Sequence, residues 1–558
     1  MNKNDQSQVY TNYIEFFKTW SGLGFVDFTN LINILVSEIT RSNEAKEISK
    51  ILAMFSEINA EPFVRVTDSI EQLLNDADLY GVRNDALTIF GNIAIFLSNF
   101  DNRSLENGEN HGSDNNQEND GNHKNSQNHE NESDSGSENT TSAKNSLNMT
   151  DAEICKVVDL CCEACFRHLR DISSFCRTKA LDVLEKLAQK SKLKLEVISE
   201  ALKGANKKLL DDSVMVRKKA LRLVNVLVRN NPVGDMFGTA EQFEEKIVET
   251  RVELKQKEQE AVLEENLENN SEIQALKFRL RFLILTQLFQ TRIEESLEII
   301  TEVHLVSVNE NDVKEALNVV SSCVQRHVTS AGAAIKSALP SIFSKNEDIR
   351  SLVAIIYSDC FMRATNQETF DVLIQFIKNL EFSETEAAKE VFRQIGKSKI
   401  YSVKIRELYA FCWENLEKTD DFRLLEKNLR IIEVFGNLDV DLEDGKEHTG
   451  KENTTGKSKK RTSLSKKVVS RRIDTALACL PEELKGGRSL RLVVSCIDVV
   501  LMLSESRQGK FEGFACFEEF VKLLIDGVCM NNKYWVPMME KIVIMFFRLA
   551  EYPIVVSK

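Results

Sequence analysis

Two stretches of this chain repeat one another at a fixed offset of forty residues, and that offset limits the fold more than any other feature. DISSFCRTKALDVLEKLAQ, starting at Asp171, lies over DDSVMVRKKALRLVNVLVR, starting at Asp211. Asp171 falls on Asp211, Arg177 on Arg217, Lys179 on Lys219, Ala180 on Ala220, Leu181 on Leu221, Leu184 on Val224 and Leu187 on Leu227. The apolar members recur at i, i+1, i+4 and i+7, which gathers them on one stripe of an α-helix. A single two-helix unit leaves its apolar face uncovered. Neighbouring units must therefore stack, and the chain must build a solenoid.

A period of about forty residues is that of HEAT-type hairpins. The expected fold is an all-α HEAT-repeat solenoid with two low-complexity inserts. Gly (22) and Pro (6) are scarce among the 558 residues, as long helices require. The first residues, MNKNDQSQVY, lack the apolar core of a signal peptide. The most apolar run, LRLVVSCIDVVLML, is broken by Asp498 and is shorter than the ~20 residues a membrane-spanning helix needs, so no membrane partner is expected. Twelve cysteines fall mostly on apolar helical faces, which reads as reduced thiols in an intracellular protein.

The formal net charge of −14 is unevenly spread. Residues 101–150 carry ten acids against Arg103, Lys124 and Lys144, whereas residues 167–230 carry sixteen Lys/Arg against seven Asp/Glu. Local charge, rather than the total, decides what a surface attracts.

Taken in order, residues 1–100 read as an N-terminal helical domain, built from YIEFFKTW, FTNLINILVSEI, KEISKILAMF and DALTIFGNIAIFL. Residues 101–150 are Asn/Glu/Ser/Gly-rich with almost no large apolar side chain, and read as a disordered linker. His111, His123 and His129 within it read as solvated filler. The paired repeats span 151–232 and stop at Pro232. Further HEAT-like helices fill 233–440. They include a helix at 240–270 charged on every side, and a third repeat signature with Asp348 and Arg350 at its turn. Residues 441–471 form a second low-complexity stretch, read as a basic loop, and 472–558 return to helix.

Several groups carry candidate chemistry. Lys218, Arg222, Asn225 and Arg229 fall at i, i+4, i+7 and i+11, a polar stripe read as lying opposite the core. The first repeat places Thr178, Asp182, Glu185 and Gln189 there, so the fold itself does not demand a basic row. With Lys203, Lys207, Lys208 and Lys219 close by, the stripe is expected to track duplex phosphates without reading sequence. A solvated helix face is the alternative. Engaging about five or six phosphates would make log affinity fall with log salt at a slope of roughly −5. Arg177 and Arg217 are expected to pair with turn acids (Asp171, Asp211 and Asp212) in a structural ladder, with DNA contact as the alternative.

KSKKRTSLSKKVVSRR, from Lys457 to Arg472, has eight bases and no acid; Lys457, Lys459, Lys460 and Arg461 match a nuclear-import-like cluster, with a generic anion-binding tail as the alternative. Gly450 and Gly456-Lys457-Ser458 have the wrong spacing, and no preceding strand, for a phosphate-binding loop. Cys161, Cys165 and His168 share a helical face, but no second cysteine pair follows to complete a zinc site. No catalytic constellation stands out, and neither enzymatic activity nor a cofactor is expected.

With these residues in view, the chain resembles the condensin complex subunit 1 family, the non-SMC HEAT subunits of condensin. LRDISSFCRTKALDVLEKL and DDSVMVRKKALRLVNVLVRNNP resemble that family's twin segment. NDVKEALNVV, LPSIFSKNEDIRSLV, RIIEVFGNL and YWVPMMEKIVIMFFRLAEYP follow its later blocks in order, so the likeness runs from about Asp151 to Pro553. The family pattern continues into C-terminal repeats not found in this sequence. The resemblance implies a non-catalytic subunit that binds DNA and a kleisin, with two SMC ATPases and a second HEAT subunit as partners. Its setting would be the nucleus and the mitotic chromosome. A nuclear-transport receptor, a kinase or phosphatase scaffold, and the equivalent subunit of the second condensin type are the competing readings.

Overall fold

In a computed structural model of the chain, the described residues are 28–39, 44–108, 149–190, 193–230, 240–263, 271–362, 364–378, 382–397, 401–419, 421–435 and 493–500, with a few isolated positions besides. Among them the regular elements are all helical. The chain divides into two compact units, Met1–Ala331 and Gly332–Lys558. Of the stretches expected to be disordered, 441–471 lies wholly outside the described residues, and so does 101–150 apart from 101–108, Met149 and Thr150.

The first unit runs through α1 (Phe28–Ile39), α2 (Ala45–Ile58), the single turn α3 (Glu61–Val64), α4 (Thr67–Asp76) and α5 (Tyr80–Gly108). α5 thus enters the segment assigned to the linker. Next come α6 (Asp151–His168), α7 (Ser174–Lys190), α8 (Leu195–Leu209), α9 (Val214–Arg229), α10 (Ala240–Leu263), α11 (Ser271–Ile299) and α12 (Glu310–Gln325). Local chemistry fixes the starts. Thr150 and Glu153 form a capping box on α6. Asn309 caps α12 by accepting from the Asn311 amide at 3.0 Å.

The helices form two layers. α5, α7, α9 and α12 lie side by side in chain order, while α6, α8 and the second half of α11 make the other layer. The stripe read from the repeats is the seam between layers. Leu181, Leu184, Leu187, Leu221, Val224 and Leu227 are all buried, each worth roughly 1.5–3 kcal/mol when fully covered. Within their layer α5 and α7 approach so closely that Gly91 of α5 is needed, since an added Cβ would lie 2.8 Å from Val183 Cγ1 of α7.

The charged segment after Pro232 is less isolated than its composition suggested. α10 folds back along the first half of α11, where Phe243, Ile247 and Leu283 make a small apolar core with Leu280. Lys257–Glu272 and Lys277–Glu258 ion pairs flank it. α11 is 29 residues long, about 43 Å at 1.5 Å per residue, and ends in a π-helical turn, Ile300–His304, that no sequence signal announced.

The second unit contains α13 (Gly332–Ala338), α14 (Glu347–Phe361), α15 (Asn366–Lys378), α16 (Phe382–Lys397), α17 (Ser402–Lys418) and α18 (Phe422–Phe435). Aromatic packing holds it together, with Phe361–Phe376 ring centroids 4.7 Å apart and Phe392–Phe435 5.0 Å apart. At the α14 turn, Arg350 donates to the Ser344 and Lys345 carbonyls at 2.7 and 3.0 Å.

Candidate functional site

The polar residues singled out by the repeat converge on two features of the first unit: a ladder along one edge, and the seams between α7, α9 and α12. Each ladder arginine grips two turns at once. Arg177 Nη1 donates to the Asp171 and Ile172 carbonyls of its own turn at 2.9 and 3.0 Å. Its Nε and Nη2 make a two-pronged contact with the Asp211 carboxylate of the next turn at 2.9 and 2.8 Å. Arg217 holds the Asp211 and Asp212 carbonyls at 2.9 and 3.0 Å, and donates to Asp312 Oδ2 at 2.8 and 3.1 Å.

One rung was missed on each side. Arg83 binds the Ala77 and Asp78 carbonyls and reaches Asp171 at 2.9 and 3.0 Å. The sequence holds a signal for it: Arg-x-x-Ala-Leu recurs at Arg83, Arg177 and Arg217, hidden by the 101–150 insert. Asp312 has no such signal. It lies in the first turn of α12, beyond the α10–α11 hairpin, and Ser307 occupies the place that corresponds to Asp211.

The carboxylates also receive a third basic group from the end of the preceding helix. His168 Nδ1 lies 3.1 Å from Asp171, and Lys208 Nζ lies 3.3 Å from Asp211. His304 occupies the matching place before α12. Burial pushes its imidazole below the usual histidine range, with the Asp312 carboxylate opposing that shift. For Asp171, burial alone would raise the carboxyl, but hydrogen bonds from Arg83, the Ser173 amide and His168 outweigh it and hold the pKa at about 2. Asp211 is depressed by the same balance, with Arg177 as its main donor.

The basic stripe of α9 does not lie opposite the core. α9 sits between α7 and α12, so positions beside its apolar stripe are seam positions. Arg222 pairs with Glu315 of α12 at 2.9 Å, and Arg229 Nε donates to Ser322 Oγ at 3.2 Å. Asn225 Oδ1 accepts from the same Ser322 hydroxyl at 2.5 Å. On the other side, Lys219 reaches back to Asp182 at 2.5 Å and Glu185 at 3.2 Å on α7. Lys208 is bound in the ladder and Lys203 pairs with Glu200. Of the seven cations expected to meet phosphate, Lys207 and Lys218 alone make no ion pair or hydrogen bond among the described residues.

The two seams use the same positions with opposite signs. Arg222 corresponds to Asp182, and Glu315 corresponds to Lys219. Between α7 and α9 an acid faces a lysine; between α9 and α12 an arginine faces an acid. The basic row is the complement of α12, which explains why one repeat carries it and the other does not.

Cys161, Cys162 and Cys165 are buried on α6. Burial raises all three thiols well above the usual cysteine range, Cys162 to about 12. His168 is turned to Asp171, and among the described residues no group of three His, Cys, Asp or Glu could hold a metal ion. Lys457, Lys459, Lys460 and Arg461 lie outside the described residues. Arg472, at the end of that basic stretch, lies over the rings of Tyr409 and Trp413, 5.0 and 5.4 Å from their centroids.

No protein-family profile matches the chain. Among curated proteins, the condensin-1 complex subunit CAP-D2 of Arabidopsis thaliana is 21% identical over 305 residues, a match that takes in 46% of this chain and 22% of that protein. Among solved structures, a designed armadillo repeat protein superposes with a TM-score of 0.30 at 13% identity, covering 58% of this chain and 98% of its own. A chain from a structure of Kap95p binding to RanGDP gives a TM-score of 0.33 at 10% identity, covering 92% of this chain and 56% of its own. Superpositions this loose say nothing about partner or activity.

Proposed function

We propose that this chain is a non-catalytic HEAT subunit of a condensin-type complex. The observation that carries this reading is the 305-residue similarity to a condensin-1 HEAT subunit. It is supported by the order of the resembling blocks, from the twin repeat to YWVPMMEKIVIMFFRLAEYP. In this role the solenoid is a rigid framework, and its charged residues serve to fix one repeat against the next. The partners are a kleisin, two SMC ATPases and a second HEAT subunit. ATP hydrolysis belongs to the SMC subunits, and the place of action is the chromosome in the nucleus.

The DNA contact on 203–229 enters this proposal in reduced form, because the seams already occupy Lys219, Arg222 and Arg229. It rests on Lys207 and Lys218. Two phosphate contacts lower the expected salt slope from roughly −5 to about −2. Duplex binding by anisotropy at several salt concentrations checks this, with Lys207→Glu/Lys218→Glu as the variant and circular dichroism as the folding control. A folded variant that binds as tightly as the parent moves the contact to Lys457–Arg472.

The reading as a whole is tested by tagging the full chain in its native cell, cross-linking, and identifying what co-purifies. SMC and kleisin polypeptides are expected in stoichiometric amounts. Their absence, with transport receptors or a small GTPase in their place, would overturn it.

A further inference from the structure

The ladder ties together the turns that precede α5, α7, α9 and α12, so every turn inside a repeat falls on one edge. That edge carries large apolar side chains that a soluble turn does not need. Ile172 is 99% exposed, Val306 69% and Leu210 60%, so none contributes to the core. Tyr80, Phe175 and Met215 are also exposed there. The row is joined between the first two turns, where Tyr80 and Phe175 stack with ring centroids 5.3 Å apart and planes at 21°.

Charge is graded along the same edge. Besides the ladder carboxylates, which arginines match, exposed Asp76 and Asp78 stand at the first turn and Glu302 at the last. Arg170 and Lys207 stand between them, with Asp212. At the first turn a cavity of about 570 Å³ opens, lined by Val36, Asp76, Asp78 and Leu79 among others. Its walls mix apolar side chains with Asn33, Ser37, Ser69 and Gln72, and its two carboxylates suit the charged head of a lysine or arginine whose aliphatic stem lies along the apolar part.

We propose that this edge seats an extended peptide segment of a partner protein, with apolar side chains at every third position and a basic residue at each end. The spacing follows from geometry. Stacked helices lie about 8–10 Å apart. A peptide in the extended polyproline II form advances about 3.1 Å per residue and turns once every three, so positions i, i+3 and i+6 share one face, three residues pass each repeat and about ten cover the four turns. The basic ends meet Asp76 and Asp78 in the cavity at one end, and Glu302 at the other. The inference stands apart from the condensin reading, since it concerns the chemistry of the segment and not the complex it comes from.

The test pans the immobilised full chain with a phage-displayed library of random dodecapeptides, then measures the synthetic consensus by fluorescence anisotropy. Enriched sequences should carry apolar residues at i, i+3 and i+6 with lysine or arginine at both ends. Ile172→Ser/Leu210→Ser should weaken binding at least about tenfold, as loss of central apolar anchors does, with the helical spectrum unchanged. Asp76→Asn/Asp78→Asn should weaken it by about threefold and flatten its salt dependence, as loss of exposed charge pairs does. No enrichment, a different spacing, or binding indifferent to both variants overturns the proposal. So does sedimentation that shows self-association of the parent abolished by Ile172→Ser/Leu210→Ser, which would make a second copy the occupant.

Discussion

Replacing Asp171 with Asn isolates the ionic part of one ladder rung. The amide oxygen can still accept from the Ser173 amide, now bonded to the carboxylate at 2.8 Å, so the turn itself is kept. What is lost is the charge that faces Arg83 and His168. Holding a carboxyl at about 2 instead of 3.8 corresponds to roughly 2.4 kcal/mol at 1.36 kcal/mol per pKa unit. Arg83 keeps its bonds to the Ala77 and Asp78 carbonyls and is 15% exposed, so solvent screening reduces the expected cost to about 1–2 kcal/mol.

The sign of the pH dependence is fixed. The folded pKa is depressed, so the stabilisation is complete above the unfolded value near 3.8 and disappears as pH falls through about 2. Hydrogen exchange of α7 and of the first half of α5, corrected for intrinsic rates, reads the local opening free energy. At pH 6 the Asp171→Asn variant should exchange about 5–30-fold faster than the parent there. Near pH 2.5 the two should approach each other, because the unfolded carboxyl is by then almost fully protonated and only about a third of the parent's stabilisation remains. Equal exchange at pH 6, or a difference undiminished at pH 2.5, would refute the rung as an electrostatic clamp.

Across the α9–α12 seam, Arg222→Glu and Glu315→Arg should each destabilise by about 1–2 kcal/mol, while the double exchange should recover most of the loss. Urea titration followed by exchange in α9 and α12 reads this; single reversals without effect would remove the seam assignment. Gly91→Ala should destabilise by about 1–2 kcal/mol although alanine favours helix, because the new methyl meets Val183 on α7. A rise in midpoint for that variant would mean that the two helices are less tightly packed. Iodoacetamide should leave Cys161, Cys162 and Cys165 unmodified in the folded chain at pH 7.5, since all three are buried with raised thiols. Rapid labelling by mass spectrometry would show that α6 opens.

The two-layer solenoid was legible because its cause is periodic: the same apolar offsets that place Leu181 and Leu221 on a stripe also bury them. The ladder was half legible. Arg177 and Arg217 announce themselves by repetition, while the acid that completes the last rung comes from a helix 95 residues away. Periodicity groups residues on a face, but it does not say whether that face meets water or another helix. For that reason the Lys218–Arg229 row looked like a free cationic stripe. Nor does it mark where a helix changes pitch, as at Ile300–His304, since a π turn adds one residue without a special composition.

The opposed signs of the two seams bear on how such an array can grow. Suppose the α6–α7 unit is copied in tandem. The acids Asp182 and Glu185 of one copy then face the lysine at position 179 of the next, and the new joint is matched from the outset. Copying the α8–α9 unit instead sets Arg222 against the duplicate's own Lys219, base against base. Lengthening is therefore tolerated before α8 and opposed after α9, and the gene can gain repeats at one joint far more readily than at the other.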